Sequence, residues 1–171
     1  ELAIPSLRLN TDALGDVGRV AGILGRLTGH PREADSVSAA FDSALAAATS
    51  PPDSAGPRVL LLVWEQPPMT VGRGSFLSEL VERAGGRNLF ADVAASASTV
   101  SIEAIAVRDP DLILTTADGP SAFLERPEWQ AMPAVRARRL VKVSGSEFSR
   151  PGPRTPRAIR ELAGRLRERV R

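Results

Sequence analysis

The stretch 59-VLLLVWEQPPMTVGRGSFLSELVERAGG-86 decides the fold. Val59–Trp64 is an apolar run too uniformly hydrophobic for a half-exposed strand, so it is expected to be buried on both faces. "EQPPMTVGRGS" (residues 65–75) is rich in Pro and Gly and reads as a rigid loop. Ser75 is placed to cap a short amphipathic helix that reaches Ala84, and Gly85-Gly86 supply its stop. A buried strand, a stiff loop and a helix start form the unit from which open α/β sheets build ligand sites.

Working outward, the same alternation continues. Arg87–Phe90 reads as a short strand and Ser101–Val107 as a helix capped by Ser101. Asp111–Thr115 and Leu140–Val143 read as further strands. Thr155 caps a last helix opened by Pro156, with Ile159, Leu162, Ala163, Leu166 and Val170 on its inner face. Toward the N-terminus, residues 50–57 form a Pro-rich linker. Before it, Pro31 opens a long helix to about Thr49, with Ala34, Val37, Phe41, Leu45 and Ala48 on one face. Leu14, Val17, Ala21, Leu24 and Leu27 mark an earlier helix capped by Thr11 or Asp12 and stopped by Gly29. Leu2–Leu9 reads as a strand with nothing before it to pair with. The expected class is α/β, a small parallel sheet flanked by helices.

The chain has 171 residues, 43% apolar and 25% charged, which suits one globular domain or a domain and part of another. No apolar run approaches the roughly 20 residues that span a bilayer. The chain starts at Glu1 with no signal peptide, which reads as a processed or truncated end. There are no cysteines, which excludes disulfides and thiolate metal sites. Residues 136–171 carry twelve Arg or Lys against three Asp or Glu. Such a basic end suits nucleic acid, anionic lipid or a merely solvated face, and no aromatic residue interleaves it as single-strand binding would want.

Few residues suggest catalysis. His30 is the single histidine, and its place before Pro31 makes it a helix cap. Gly72–Ser75 is either an anion cradle or a tight turn, and it lacks the ending of a nucleotide-binding P-loop. Asp109 and Asp111 read as a turn that launches a strand. One His and scattered carboxylates leave no metal site. Trp64, Pro67, Pro68 and Met69 end a central strand, where Trp64 either meets a ligand or packs under a loop as core. "SEFSRPGPR" (residues 146–154) follows the last strand. There Phe148 offers an aromatic face, and Arg150 is either a fixed cation for carboxylate or phosphate groups or half of a salt bridge. Glu103 sits in a first helical turn, where the helix dipole favours it.

Together, "LLVWEQPPMTVGRGSFLSELVERAGGRNLF" (61–90), "VSIEAIAVRDPDLIL" (100–114), "PEWQAMPAVRARRLVKV" (127–143) and "RPGPR" (150–154) resemble, in order, the C-terminal lobe of the helical-backbone ABC importer binding proteins. That group takes in receptors for vitamin B12, haem, siderophores and some metal ions, and the cobalamin branch is most similar. The resemblance implies two Rossmann-like lobes joined by one long helix. Residues 1–29 would be the remnant of a mostly absent N-terminal lobe, 30–50 the backbone helix, 51–57 a linker, and 58–171 the C-terminal lobe.

It also implies a function and a set of site residues. The chain would capture a corrinoid or related metal chelate and deliver it to a membrane permease. It would have no catalytic residue and no resident cofactor. Trp64, Gln66, Met69, Arg73, Phe148 and Arg150 would line the ligand cleft, and Glu103 would pair with arginines of the permease. The location would be periplasmic or extracytoplasmic, with any membrane contact through the permease or a lipid anchor outside this chain. Haem or ferric-siderophore capture is the alternative within the family. Outside it stand a small α/β phosphoester enzyme using Gly72–Ser75 and a basic nucleic-acid-binding domain.

Overall fold

The computed structural model describes residues 5–51, 54–116 and 121–170. Two helices come first, α1 (Asp16–Thr28) and α2 (Pro31–Ala48). Then follow β1 (Arg58–Glu65), β2 (Pro68–Thr70), α3 (Phe76–Arg83), β3 (Arg87–Asn88), β4 (Ser98–Thr99), α4 (Ile102–Arg108) and β5 (Leu112–Thr115). A 3-10 turn at Ala122–Glu125 leads into α5 (Pro127–Gln130) and α6 (Pro133–Arg136). The chain closes with β6 (Leu140–Lys142), α7 (Ser146–Ser149) and α8 (Thr155–Val170).

The sheet runs β4-β2-β1-β5-β6, with β3 on the first residues of β1. β3, β5 and β6 are parallel to their neighbours, while β2 and β4 are antiparallel. Side chains alternate across a strand, so β1 feeds two cores. Val59 and Leu61 join Leu112, Leu114 and Val141 against α3, α7 and α8. Leu60 and Leu62 join Ile113 on the other face, against Phe90, Ile105, Phe123 and Trp129. Val59–Leu62 is therefore buried on both faces, as its composition required, while Val63 is partly covered and Trp64 is exposed.

Local signals explain most element ends. The Ser75 hydroxyl accepts the Ser78 N–H at 3.1 Å, and the Ser101 hydroxyl accepts that of Ala104 at 3.1 Å. Gly29 ends α1 at φ 77°, a conformation that favours glycine. α2 spans 18 residues, about 27 Å at 1.5 Å per residue, and packs on α1 and α8.

Several expectations are corrected. Residues 5–12 carry no regular structure, so no strand forms over that part of Leu2–Leu9. A lone strand leaves its backbone groups unpaired, and this segment joins none of the strands of the sheet. Its first residues lie outside the described part. Neither Thr11 nor Asp12 caps α1. Instead the Asp16 carboxylate reaches back to accept the N–H groups of Asp12 and Ala13, at 2.9 and 3.1 Å. His30 occupies the N-cap position of α2 but makes no side-chain capping bond there. Val37 is exposed, so the buried stripe of α2 narrows to Ala34, Phe41 and Ala48, with Leu45 partly covered. The inner face of α8 is buried at Ile159, Leu162, Ala163 and Leu166, while the Val170 side chain lies outside the described part.

The segment read as pure loop holds a strand. β2 folds back on β1, with Trp64 opposite Met69 and Glu65 opposite Pro68, across a cis Gln66–Pro67 peptide. Pro68 opens β2, a strand position that tolerates a missing N–H.

Candidate functional site

The parallel strands β1, β5 and β6 end on one edge of the sheet, and the connections that leave them build the candidate site. The β1–β2 hairpin supplies Trp64, Gln66 and Met69. The pairing slips between Leu62 and Trp64, where a bulge breaks the regular register. Trp64 is 60% exposed and does not pack as core. Its indole N–H donates to the Gln66 carbonyl at 2.9 Å, which ties the ring to the turn. Met69, its register partner, is half-buried.

The Gly72–Ser75 loop is a packed turn. A Cβ on Gly72 would lie 2.1 Å from the Val93 carbonyl oxygen and 2.4 Å from that of Ala95, so only glycine fits. The Arg73 N–H donates to Val93 O and the Ser75 N–H to Gly72 O. An anion cradle would need those amides free. Beneath the loop, the buried Asn88 amide donates to Val71 O and to the Ser78 hydroxyl, each at 2.9 Å. This anchors the loop to α3 and leaves the Arg73 side chain exposed.

Beyond β6, α7 turns Phe148 inward. It is 4% exposed and belongs to the core under α8. The expectation of an aromatic ligand face there is corrected: the short helix directs the ring to the sheet instead of the rim. Arg150 is exposed on extended backbone and borders a depression of about 410 Å³ with Glu147, Pro151 and Arg154. A second depression, about 490 Å³, lies between Gly74–Phe76 and the Ser149–Pro151 turn. The loops after β2 and after β6 therefore meet along this edge.

One residue of this rim was not foreseen. The Arg126 guanidinium donates to the Gln66 side-chain oxygen at 2.6 Å, from 60 residues away. Only "RP" before a short helix marks it in the sequence, and that dipeptide fixes backbone without naming a contact.

Charge pairing differs between the two edges. At the opposite edge Arg58 pairs with Asp111 and Asp109, at 3.1 and 3.2 Å. Arg108 pairs with Asp92 at 2.7 Å and lies over the Phe90 ring. For Asp111, burial pushes the carboxyl up, but its bonds to the Arg58 side chain and N–H outweigh this and hold it below its ordinary value. Arg73, Arg126 and Arg150 make no ion pair among the described residues. Among the described residues, then, no carboxylate makes Arg150 half of a salt bridge. Arg73 still acts on the Asp92 carboxylate, but half-buried Arg126 and exposed Arg150, on the edge that carries the open indole, suit a flat ligand with polar or anionic edges.

Glu103 stands apart, exposed on α4. Its own N–H and the Ser101 hydroxyl bond the carboxylate and hold it below its ordinary value. Among the described residues, no cluster of three or more His, Cys, Asp or Glu could hold a metal ion.

A family description, periplasmic binding protein, matches residues 4–145. The chain belongs to that family. This periplasmic binding protein chain is 33% identical over 99 residues to the vitamin B12-binding protein of Vibrio parahaemolyticus, covering 57% of this chain and 36% of the relative. Among solved structures, the periplasmic vitamin B12-binding protein of Vibrio cholerae aligns with a TM-score of 0.77 at 24% identity, covering 98% of this chain and 67% of that one. The periplasmic haem-binding protein of Roseiflexus sp. RS-1 aligns at 0.80 and 22%, covering 93% and 65%. These structures establish the α/β fold. The chain spans about a third of the length of the first curated relative it matches. Membership of a periplasmic family places it outside the cytoplasm and among binding proteins, not enzymes.

Proposed function

We propose that this chain is the gripping part of an ABC importer's substrate-binding protein, and that its cargo is a corrinoid or related metal chelate. The exposed, tethered Trp64 ring on the ligand-side edge of the sheet carries this reading. The ring, Met69 and the rigid hairpin supply apolar contact area, and the arginines of that edge read polar groups at the ligand's margin. In this reading residues 58–171 form the gripping lobe, α2 is the connecting helix, and Arg73 and Arg150 take the peripheral contacts.

The vitamin B12-binding relatives support a corrinoid, and the haem-binding structural neighbour supports a porphyrin as the second reading. Glu103 is the docking carboxylate for an arginine of the permease. Any membrane attachment would come from a lipid anchor outside these residues. The phosphoester-enzyme reading loses its support, because the Arg73 and Ser75 amides of the loop are already engaged.

The test is absorbance titration of the chain with cyanocobalamin, hemin and a ferric hydroxamate. One of them should bind saturably, and Trp64→Ala should weaken that binding by about 2 kcal/mol, roughly thirtyfold. No saturable shift with any of the three would refute the proposal.

A further inference from the structure

The geometry points to Arg126 as a further ligand-contact residue, one that reads an anionic oxygen group, carboxylate or phosphate, on the margin of the bound chelate. This rests on the function proposed above. Pro127 holds Arg126 extended, at φ −82° and ψ 133°, at the entrance to α5. The guanidinium thereby reaches the β1–β2 hairpin. There it donates one hydrogen bond, to the Gln66 side chain, and the Gln66 carbonyl accepts from the Trp64 indole.

Arg126 and Trp64 thus bond the same residue, one at its side chain and one at its backbone, which links the cation to the hairpin that carries the ring. A guanidinium has five N–H donors. Among the described residues, the Arg126 side chain uses one nitrogen, on a neutral acceptor, and makes no ion pair. The adjacent carboxylate, Glu125, is engaged with Arg138 at 3.2 Å. The remaining donors of Arg126 are therefore free for a ligand. Its planar fork suits two oxygens of one carboxylate or phosphate, while Gln66 fixes its orientation.

The experiment compares matched probes. Hemin is set against its dimethyl ester, which lacks the carboxylates. Cyanocobalamin is set against dicyanocobinamide, which lacks the phosphate together with the rest of the nucleotide, so there the salt dependence and the Arg126→Met variant isolate the charge. The whole chain should prefer the anionic member of whichever pair it binds, and added salt should erode that preference. Arg126→Met should lose about tenfold in affinity for the anionic member and nothing for the neutral one, leaving no salt-sensitive preference. Arg126→Lys should restore part of it. An unchanged urea midpoint would show that Arg126→Met is folded.

A wild-type chain that binds both members equally would overturn this inference alone. So would an Arg126→Met variant that keeps the preference. A wild-type chain that binds the ferric hydroxamate but neither pair would overturn this inference alone, and one that binds none of these chelates would overturn the proposed function, and this inference with it.

Discussion

Phe148→Ala separates a core role from a ligand role, because the two predict opposite readouts. Phe148 is 4% exposed and packs with Phe76, Leu77 and Ile159 in the core beneath α8. Deleting a buried phenyl ring costs about 3–5 kcal/mol, from lost transfer energy and the cavity left behind. The low end applies here, because α7 is a single turn at the margin of the core and can partly collapse. About 3 kcal/mol is a large share of a typical total of roughly 5–15 kcal/mol. With a urea slope of about 2 kcal/mol per molar, the midpoint should fall by about 1.5 M. Circular dichroism at 222 nm follows the transition, and Phe148→Leu should lose less than half as much. Trp64→Ala, at a ring 60% exposed, should move the midpoint by less than about 0.5 M. The reasoning is refuted if Phe148→Ala leaves the midpoint in place, or if Trp64→Ala lowers it as much.

Other outcomes follow from single contacts. Gly72→Ala should destabilise the loop by about 2 kcal/mol or more, since the new methyl meets two backbone carbonyls that cannot swing aside; thermal melting checks this. Asp111 has a folded-state value held below its ordinary 3.8, so its contribution is complete above that pH and fades as the pH falls through the folded value. The stability gap between wild type and Asp111→Asn should therefore be widest near neutrality and close toward pH 2, read from urea midpoints at each pH. Glu103→Ala should change the urea midpoint by less than about 0.3 M while reducing capture by permease-containing vesicles. Equal loss of chelate affinity would contradict a docking role.

Much of the fold was legible because its causes are local. Unbroken apolar runs mark β1 and β5, hydroxyls at Ser75 and Ser101 cap their helices, and Gly29 and Pro31 end one helix and begin the next. Each signal acts within a few residues, so a linear reading finds it. The same reading failed where a partner decides. Residues 5–9, read as the end of a strand, pair with no strand of the sheet and stay irregular. Pro68–Thr70 has loop composition but lies between β1 and β4 and pairs with both.

The site divides the same way. Composition alone singled out Trp64, Met69 and Arg150 as unusual at the ends of strands. Only packing showed that Phe148 faces inward while Trp64 faces out, since either ring suits either place by chemistry. Only packing brought Arg126 to Gln66, because a contact across 60 residues has no local signature. The sequence by itself determined the longer strands and helices, through capping and periodicity. The tertiary structure decided which side chains share the rim and which arginines find a carboxylate, because both depend on distances that chain order does not set.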